Sequence, residues 1–170
     1  AFETSLLVAA TAGRAFGFLV PTDSAARATR KRIAHYGVEH RVAAVLACDP
    51  PLTEYELAQG FRNDDALVAR LVAQCRRLVA AGTDLVIPAE GVLNAVLVAH
   101  RVTHVDGAPV LDAWGATVAT AETLVRLHRT TGLTNSRRGT YARPDPAVVA
   151  HARGVAAETL MQAAVRPPTD

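Results

Sequence analysis

Residues 15–24, Ala15-Phe16-Gly17-Phe18-Leu19-Val20-Pro21-Thr22-Asp23-Ser24, read as a strand that runs directly into the start of a helix. The run Ala15–Val20 is short and apolar throughout, the pattern of a strand covered on both faces. Pro21 and Thr22 follow it, and Asp23 or Ser24 serves as the N-cap of a helix carried by AARATRKRIAHY to a stop at Gly37. The same grammar recurs down the chain. A second strand, Arg41–Ala47, ends where Pro50 and Pro51 forbid further ladder pairing. A helix begins at Asn63 or Asp64 and places Leu67, Val68, Leu71, Val72, Cys75, Leu78 and Val79 on one stripe before Gly82. A third strand, Asp84–Pro88, leads into a helix from Gly91 to about His104. A fourth, Ala108–Leu111, leads into a helix from Asp112 to Thr131. Upstream, Thr4–Ala12 reads as a helix. Downstream, Thr134–Pro146 is a loop by composition, and a last helix covers Ala147–Ala164.

Four strand–helix alternations predict an α/β fold, a parallel four-stranded sheet with helices on both faces, because parallel strands need right-handed crossovers. The simplest strand order is 2-1-3-4. The chain then reverses direction between the first and third strands, and ligands bind outside the carboxyl ends at that point. The expected site is therefore built from Pro21, Thr22, Asp23 and Ser24 after the first strand, and from Pro88, Ala89, Glu90, Gly91 and Asn94 after the third.

The 170 residues suit one domain with a real core, and half are hydrophobic, mostly Ala, Val and Leu. Eighteen Lys and Arg against 16 Asp and Glu leave a net charge of +2, too balanced for a nucleic-acid footprint or a membrane-surface patch. Arg14, Asp84, His100 and Asp112 interrupt every apolar stretch that approaches the length of a membrane span. No basic segment precedes the apolar start, as a signal peptide would require. The two cysteines, Cys48 and Cys75, form neither a disulfide framework nor a metal-spaced pattern, so a reducing cytoplasm is the expected compartment.

Few residues can carry chemistry. Thr22, Asp23 and Ser24 offer hydroxyls and backbone N–H groups at a helix N-terminus, suited to a carboxylate or phosphate, or else an ordinary cap. Neither GxGxxG nor GxxxxGK[ST] is present, which disfavours dinucleotides and nucleoside triphosphates. Glu90 follows an apolar strand and precedes a glycine, where a half-buried carboxylate can act as general acid or base; it also suits a first helical turn electrostatically. Asp112 occupies the matching place after the fourth strand and reads as an N-cap. Cys48, at the carboxyl end of the second strand, is a conceivable thiol but more simply a small buried hydrophobe, and Cys75 lies on an apolar stripe. His100 and His104 have i, i+4 spacing but no third ligand, so no metal is assigned. Arg137 and Arg138, with Tyr141, could clamp a carboxylate or lie in a solvated loop or subunit contact.

Three stretches, ETSLLVAATAGRAFGFLVPT, GTDLVIPAEGV and GAPVLDAWGATVATAETLV, resemble in order and spacing the second part of the aspartate/glutamate racemase superfamily, nearest its hydantoin racemase-like branch. The resemblance runs from about Glu3 to Leu127. It implies that residues 1–132 form one half of a pseudo-twofold, two-domain fold, often dimeric. Residues 133–170 would add a loop and a helix packing on the other domain. The N-terminal half would lie outside this chain, in some 80–100 further residues before Glu3 or in a second chain, by the usual size of such a domain. The implied activity is cofactor-independent racemisation at the acidic α-carbon of a small carboxylate or hydantoin-like substrate. Two cysteines exchange the proton on opposite faces in that family. This sequence departs from the pattern. The family's Gly-Cys-Ala-Gly turn is here Pro88-Ala89-Glu90-Gly91, so Ala89 stands at the cysteine position. Glu90 then becomes the candidate acid/base, with Thr22, Asp23, Ser24, Gly91 and Asn94 as substrate-binding candidates. A decarboxylase or lyase on the same scaffold, or a silent small-acid-binding member or subunit, are the competing expectations.

Overall fold

The computed structural model describes residues 2–62 and 65–165. It divides into two compact units, one reaching Arg126 and one starting at Leu127. The first holds a parallel sheet of β1 (Phe16–Val20), β2 (Val42–Ala47) and β3 (Leu85–Pro88) in the order β2-β1-β3. Around it lie α1 (Phe2–Ala12), α2 (Asp23–His35), α3 (Glu54–Gln59), α4 (Asp65–Ala80) and α5 (Gly91–Ala99), with the first turns of α6 (Ala113–Thr131). The second unit holds the last turn of α6, a 3₁₀ turn at Gly139–Tyr141, and α7 (Pro146–Val165), whose start is capped by Asp145 Oδ1 accepting the Ala147 N–H at 2.7 Å. Among the described residues, no helix is long and apolar enough to cross a membrane.

Strand alternation sorts the core onto two faces. Phe16, Phe18 and Val20, with Leu85 and Ile87, pack against Leu6 and Ala9 of α1 and Ala26 and Ile33 of α2. Leu19 and Val86 point to the opposite face, where Leu57, Leu67, Leu71, Cys75, Leu78, Leu93, Val96 and Leu97 cover them. All five β1 residues are buried, as expected of a central strand. The alanine-rich composition finds its use here: Ala9 and Ala26 are buried small residues on the helices of the first face.

Gly17 sits on the crowded face. A Cβ there would lie 2.9 Å from Leu78 Cδ2 and closer still to the Thr83 hydroxyl. Gly17→Ala is therefore expected to destabilise the fold by about 1–3 kcal/mol through overpacking. Equilibrium urea unfolding measures this; an unchanged midpoint would contradict so close an approach of α4 to β1.

Four sequence expectations need correction. The predicted fourth strand is not a full member of the sheet. Ala108–Pro109 forms β5, which pairs antiparallel with β4 (His104–Val105) across the Asp106-Gly107 turn, with both turn residues at positive φ. Only Val110, Leu111 and Asp112 remain before the next helix. Val110 makes a single parallel bridge to Val86, and the Leu111 N–H donates to the Val86 carbonyl at 2.9 Å. The chain thus lies beside β3, next to the place expected of strand four, but too briefly to form a strand.

Helix α5 stops well short of His104. Arg101 adopts φ 55°, and the N–H groups of Val102 and Arg101 donate to the carbonyls of Leu97 and Val98, both at 2.9 Å. This is a Schellman termination with arginine in the place glycine usually takes. The N-cap of α2 is Thr22, whose Oγ1 accepts the Ala25 N–H, rather than Asp23 or Ser24. Helix α3 was not expected at all. It opens with a capping box in which Thr53 and Glu56 exchange hydrogen bonds. The expected caps of the following helix, Asn63 and Asp64, lie outside the described residues.

Candidate functional site

The carboxyl edge of the sheet is tied together by backbone bonds that place its loops side by side. The Cys48 N–H donates to the Val20 carbonyl at 2.8 Å, Leu52 to Pro21 at 3.0 Å, and Ala89 to Leu19 at 2.8 Å. The last of these carries the β3 register one residue past Pro88 and presents Ala89 and Glu90 at the edge. Glu90 is the N-cap of α5, with extended backbone. Its Oε1 accepts the Val92 N–H at 3.0 Å and its Oε2 the Leu93 N–H at 2.7 Å. The carboxylate is thereby anchored to the first turn of the helix, while each oxygen retains a further lone pair for another donor.

A cavity of about 170 Å³ opens beside it, and its walls include Phe2, Arg32, Ala89, Glu90, Gly91 and Trp114. Gly91 admits the Trp114 ring: a Cβ there would lie 3.4 Å from Trp114 Cζ2, and the indole N–H points to the Gly91 carbonyl at 3.4 Å. Asn94, also in the wall, is only 1% exposed. Its Nδ2 donates to Asp112 Oδ1 at 3.3 Å, and its Oδ1 accepts the Ala113 N–H at 2.9 Å. Asp112 Oδ1 also accepts the N–H groups of Trp114 and Gly115 at 3.1 and 3.0 Å, which confirms it as the N-cap of α6. Asn94 and Asp112 therefore clamp α6 to α5 and hold Trp114 over Gly91.

The structure brings Glu90, Gly91 and Asn94 together in one cavity; Thr22, Asp23 and Ser24 are not among its walls. Thr22 and Ser24 instead pair their hydroxyls at 2.9 Å at the start of α2. His100 and His104 are separated by the end of α5, with His100 Nε2 2.8 Å from the Gly60 carbonyl and His104 in β4. No cluster of three or more metal-binding side chains occurs among the described residues. Arg137, Arg138 and Tyr141 lie exposed in the second unit.

Phe2, Arg32 and Trp114 went unread as site residues. Trp114 carries a signal, as the sole tryptophan of the chain two residues beyond a helix-capping Asp. Arg32 carries none, because it stands in the basic run Arg30-Lys31-Arg32 of a helix that alternates charge and alanine.

Both cysteines are buried in the core. Burial pushes the Cys48 thiol up to about 11, partly offset by Arg70 and Arg77, and pushes Cys75 up to about 12, with Cys48 adding to the effect. A thiol so held is a poor nucleophile at neutral pH. Because the folded state retains protons that the unfolded thiols release, their contribution to stability is complete below the ordinary thiol value of 9.0 and is lost as pH rises through the folded values. Urea midpoints measured from pH 8 to 11 are expected to fall, and to fall less steeply in Cys48→Ala. Parallel slopes for the two proteins would contradict this.

No family model matches the sequence, and no curated protein matches it. The fold is similar to two solved structures. One is allantoin racemase from Klebsiella pneumoniae, 21% identical with a TM-score of 0.62, where the match covers 84% of this chain and 54% of that one. The other is allantoin racemase from Pseudomonas fluorescens, 24% identical with a TM-score of 0.65, covering 85% of this chain and 57% of that one. The likeness shows the fold alone, an α/β fold with a parallel three-stranded sheet and helices similar to that of these two structures. The chain spans a little over half the length of these structures.

Proposed function

We propose that the protein is a racemase-like isomerase acting at the acidic α-carbon of a small carboxylate or hydantoin-like compound, and that the cavity beside Glu90 is its substrate site. The observation that carries this reading is the placement of an anchored carboxylate at the carboxyl edge of a racemase-type sheet, next to Ala89, where the family resemblance puts a cysteine. The names of the two structural neighbours, both allantoin racemases, make a ureide ring a reasonable candidate scaffold.

In this account Glu90 takes the α-proton from one enantiomer as general base. In the reverse direction, when the opposite-face group has removed the proton, Glu90 as general acid delivers one to its own face of the carbanion. Stabilising the carbanion falls to hydrogen-bond donors of the surrounding loops. Gly91 lets the Trp114 ring close down as a cavity wall against which the substrate rests, Asn94 keeps that wall in place, and Thr22, Asp23 and Ser24 stand on the same sheet edge as further substrate-binding groups. Inversion needs a proton donor on the opposite face. We assign that donor to the other half of the two-domain scaffold, supplied by the same protein, a second copy or a second chain. A cytoplasmic, cofactor-independent enzyme fits this chemistry.

A second reading, a silent member that binds a small acid, is favoured by Ala89 and by the capping duty of Glu90. Polarimetry on a single enantiomer of hydantoin-5-acetate separates the readings. Decay of optical rotation with unchanged mass supports an isomerase, a product of changed mass a lyase or decarboxylase, and constant rotation the silent member.

A further inference from the structure

The cavity beside Glu90 has one cationic wall residue, Arg32, in the last turn of α2. Its guanidinium carbon lies 5.6 Å from the centroid of the Phe2 ring. Among the described residues the guanidinium has no carboxylate within ion-pair distance and no hydrogen-bond partner. The carboxylate sharing the cavity, Glu90, is directed to the backbone of Val92 and Leu93. The cation is thus oriented by an aromatic face and left with its planar fork of donors unused. Such a fork matches a carboxylate through two parallel N–H···O bonds. The other large surfaces of the cavity, Phe2 and Trp114, are aromatic and suit a flat ring.

We propose that Arg32 is the specificity-determining residue of this cavity, selecting a small ligand that carries both a flat ring and one carboxylate over the uncharged ring alone. This rests on the reading of the cavity as the substrate site. It assigns carboxylate recognition to α2 Arg32 rather than to Thr22, Asp23 and Ser24 at the other end of the same helix.

Two probes with the same ring separate charge from shape: hydantoin-5-acetate, which is anionic, and 5-methylhydantoin, which is neutral. Trp114, the sole tryptophan, lines the cavity and reports binding by its fluorescence. In the full chain, hydantoin-5-acetate is expected to bind about tenfold or more tightly than 5-methylhydantoin, in line with a charge-assisted pair. Arg32→Gln is expected to abolish that preference by weakening the anion alone, and Arg32→Lys to restore part of it. Equal affinities in the unaltered chain, or an Arg32→Gln change that weakens both probes alike, would overturn the proposal while leaving the cavity as the site. Failure of both probes to bind would overturn the proposal and the cavity reading together. Because binding is read without turnover, absence of racemisation bears on the function and not on Arg32.

Discussion

Glu90→Gln is expected to slow exchange of the substrate α-proton with solvent by about a hundredfold or more, the usual contribution of a positioned acid/base group. The substitution keeps the size of the side chain and one carbonyl oxygen. One of the two bonds to the N–H groups of Val92 and Leu93 can therefore persist, and the loss of α5 capping should cost only about 1 kcal/mol. The two effects separate cleanly. A protein that unfolds at nearly the same urea concentration but no longer exchanges the proton has lost chemistry rather than fold. Hydrogen–deuterium exchange followed by NMR gives the rate, and undiminished exchange in Glu90→Gln would remove Glu90 from the mechanism.

Phe18→Ala is expected to carry the largest stability cost in the molecule, about 3–5 kcal/mol. Phe18 is fully buried in the central strand, and its ring stacks on Phe2 with centroids 5.9 Å apart. Truncation would leave a void bounded by α1, α2 and the sheet. It would also remove the support of the Phe2 ring, which itself lines the cavity and sits under Arg32. A loss of this size is a large part of the 5–15 kcal/mol that holds a typical domain together. Calorimetry or urea unfolding would show it as a large drop in midpoint, and a shift below about 1 kcal/mol would contradict the placement of Phe18 at the centre of the core.

The parts of this fold that were legible in the sequence are those in which local pattern and tertiary burial agree. Residues 15–20 are apolar because both faces of β1 are covered, and the alternation Phe16, Phe18, Val20 against Leu19 follows directly. The stripe from Leu67 to Leu78 is buried because α4 covers the sheet, so its period survives into the structure. What failed depended on backbone conformations that residue type does not announce. Arg101 ends α5 in a left-handed conformation without a glycine, so the helix seemed to run on to His104. The pairing of β4 with β5 consumes Ala108 and Pro109 before they can join the sheet. Helix α3 was a different case, for Thr53-Glu54-Tyr55-Glu56 spells a capping box, but six residues are too few to produce a readable period.

The site divides in the same way. Glu90, Gly91 and Asn94 follow β3 directly in the chain, and topology placed them correctly at the edge. Arg32 and Phe2 enter the same cavity from α2 and α1, helices whose approach is set by packing against Phe16, Phe18 and Ile87. No spacing in the sequence records that meeting. Glu90 is a helix cap, and the two bonds that make it one also fix its carboxylate at the cavity wall, the position from which its acid/base role is proposed.

The central claim is that this cavity activates an α-proton. It is tested most directly by incubating each enantiomer of hydantoin-5-acetate with the protein in deuterated buffer, while Trp114 fluorescence verifies that the cavity is occupied. The account predicts that the α-proton signal of both enantiomers disappears well above the uncatalysed rate; an occupied cavity with exchange no faster than buffer alone would contradict it.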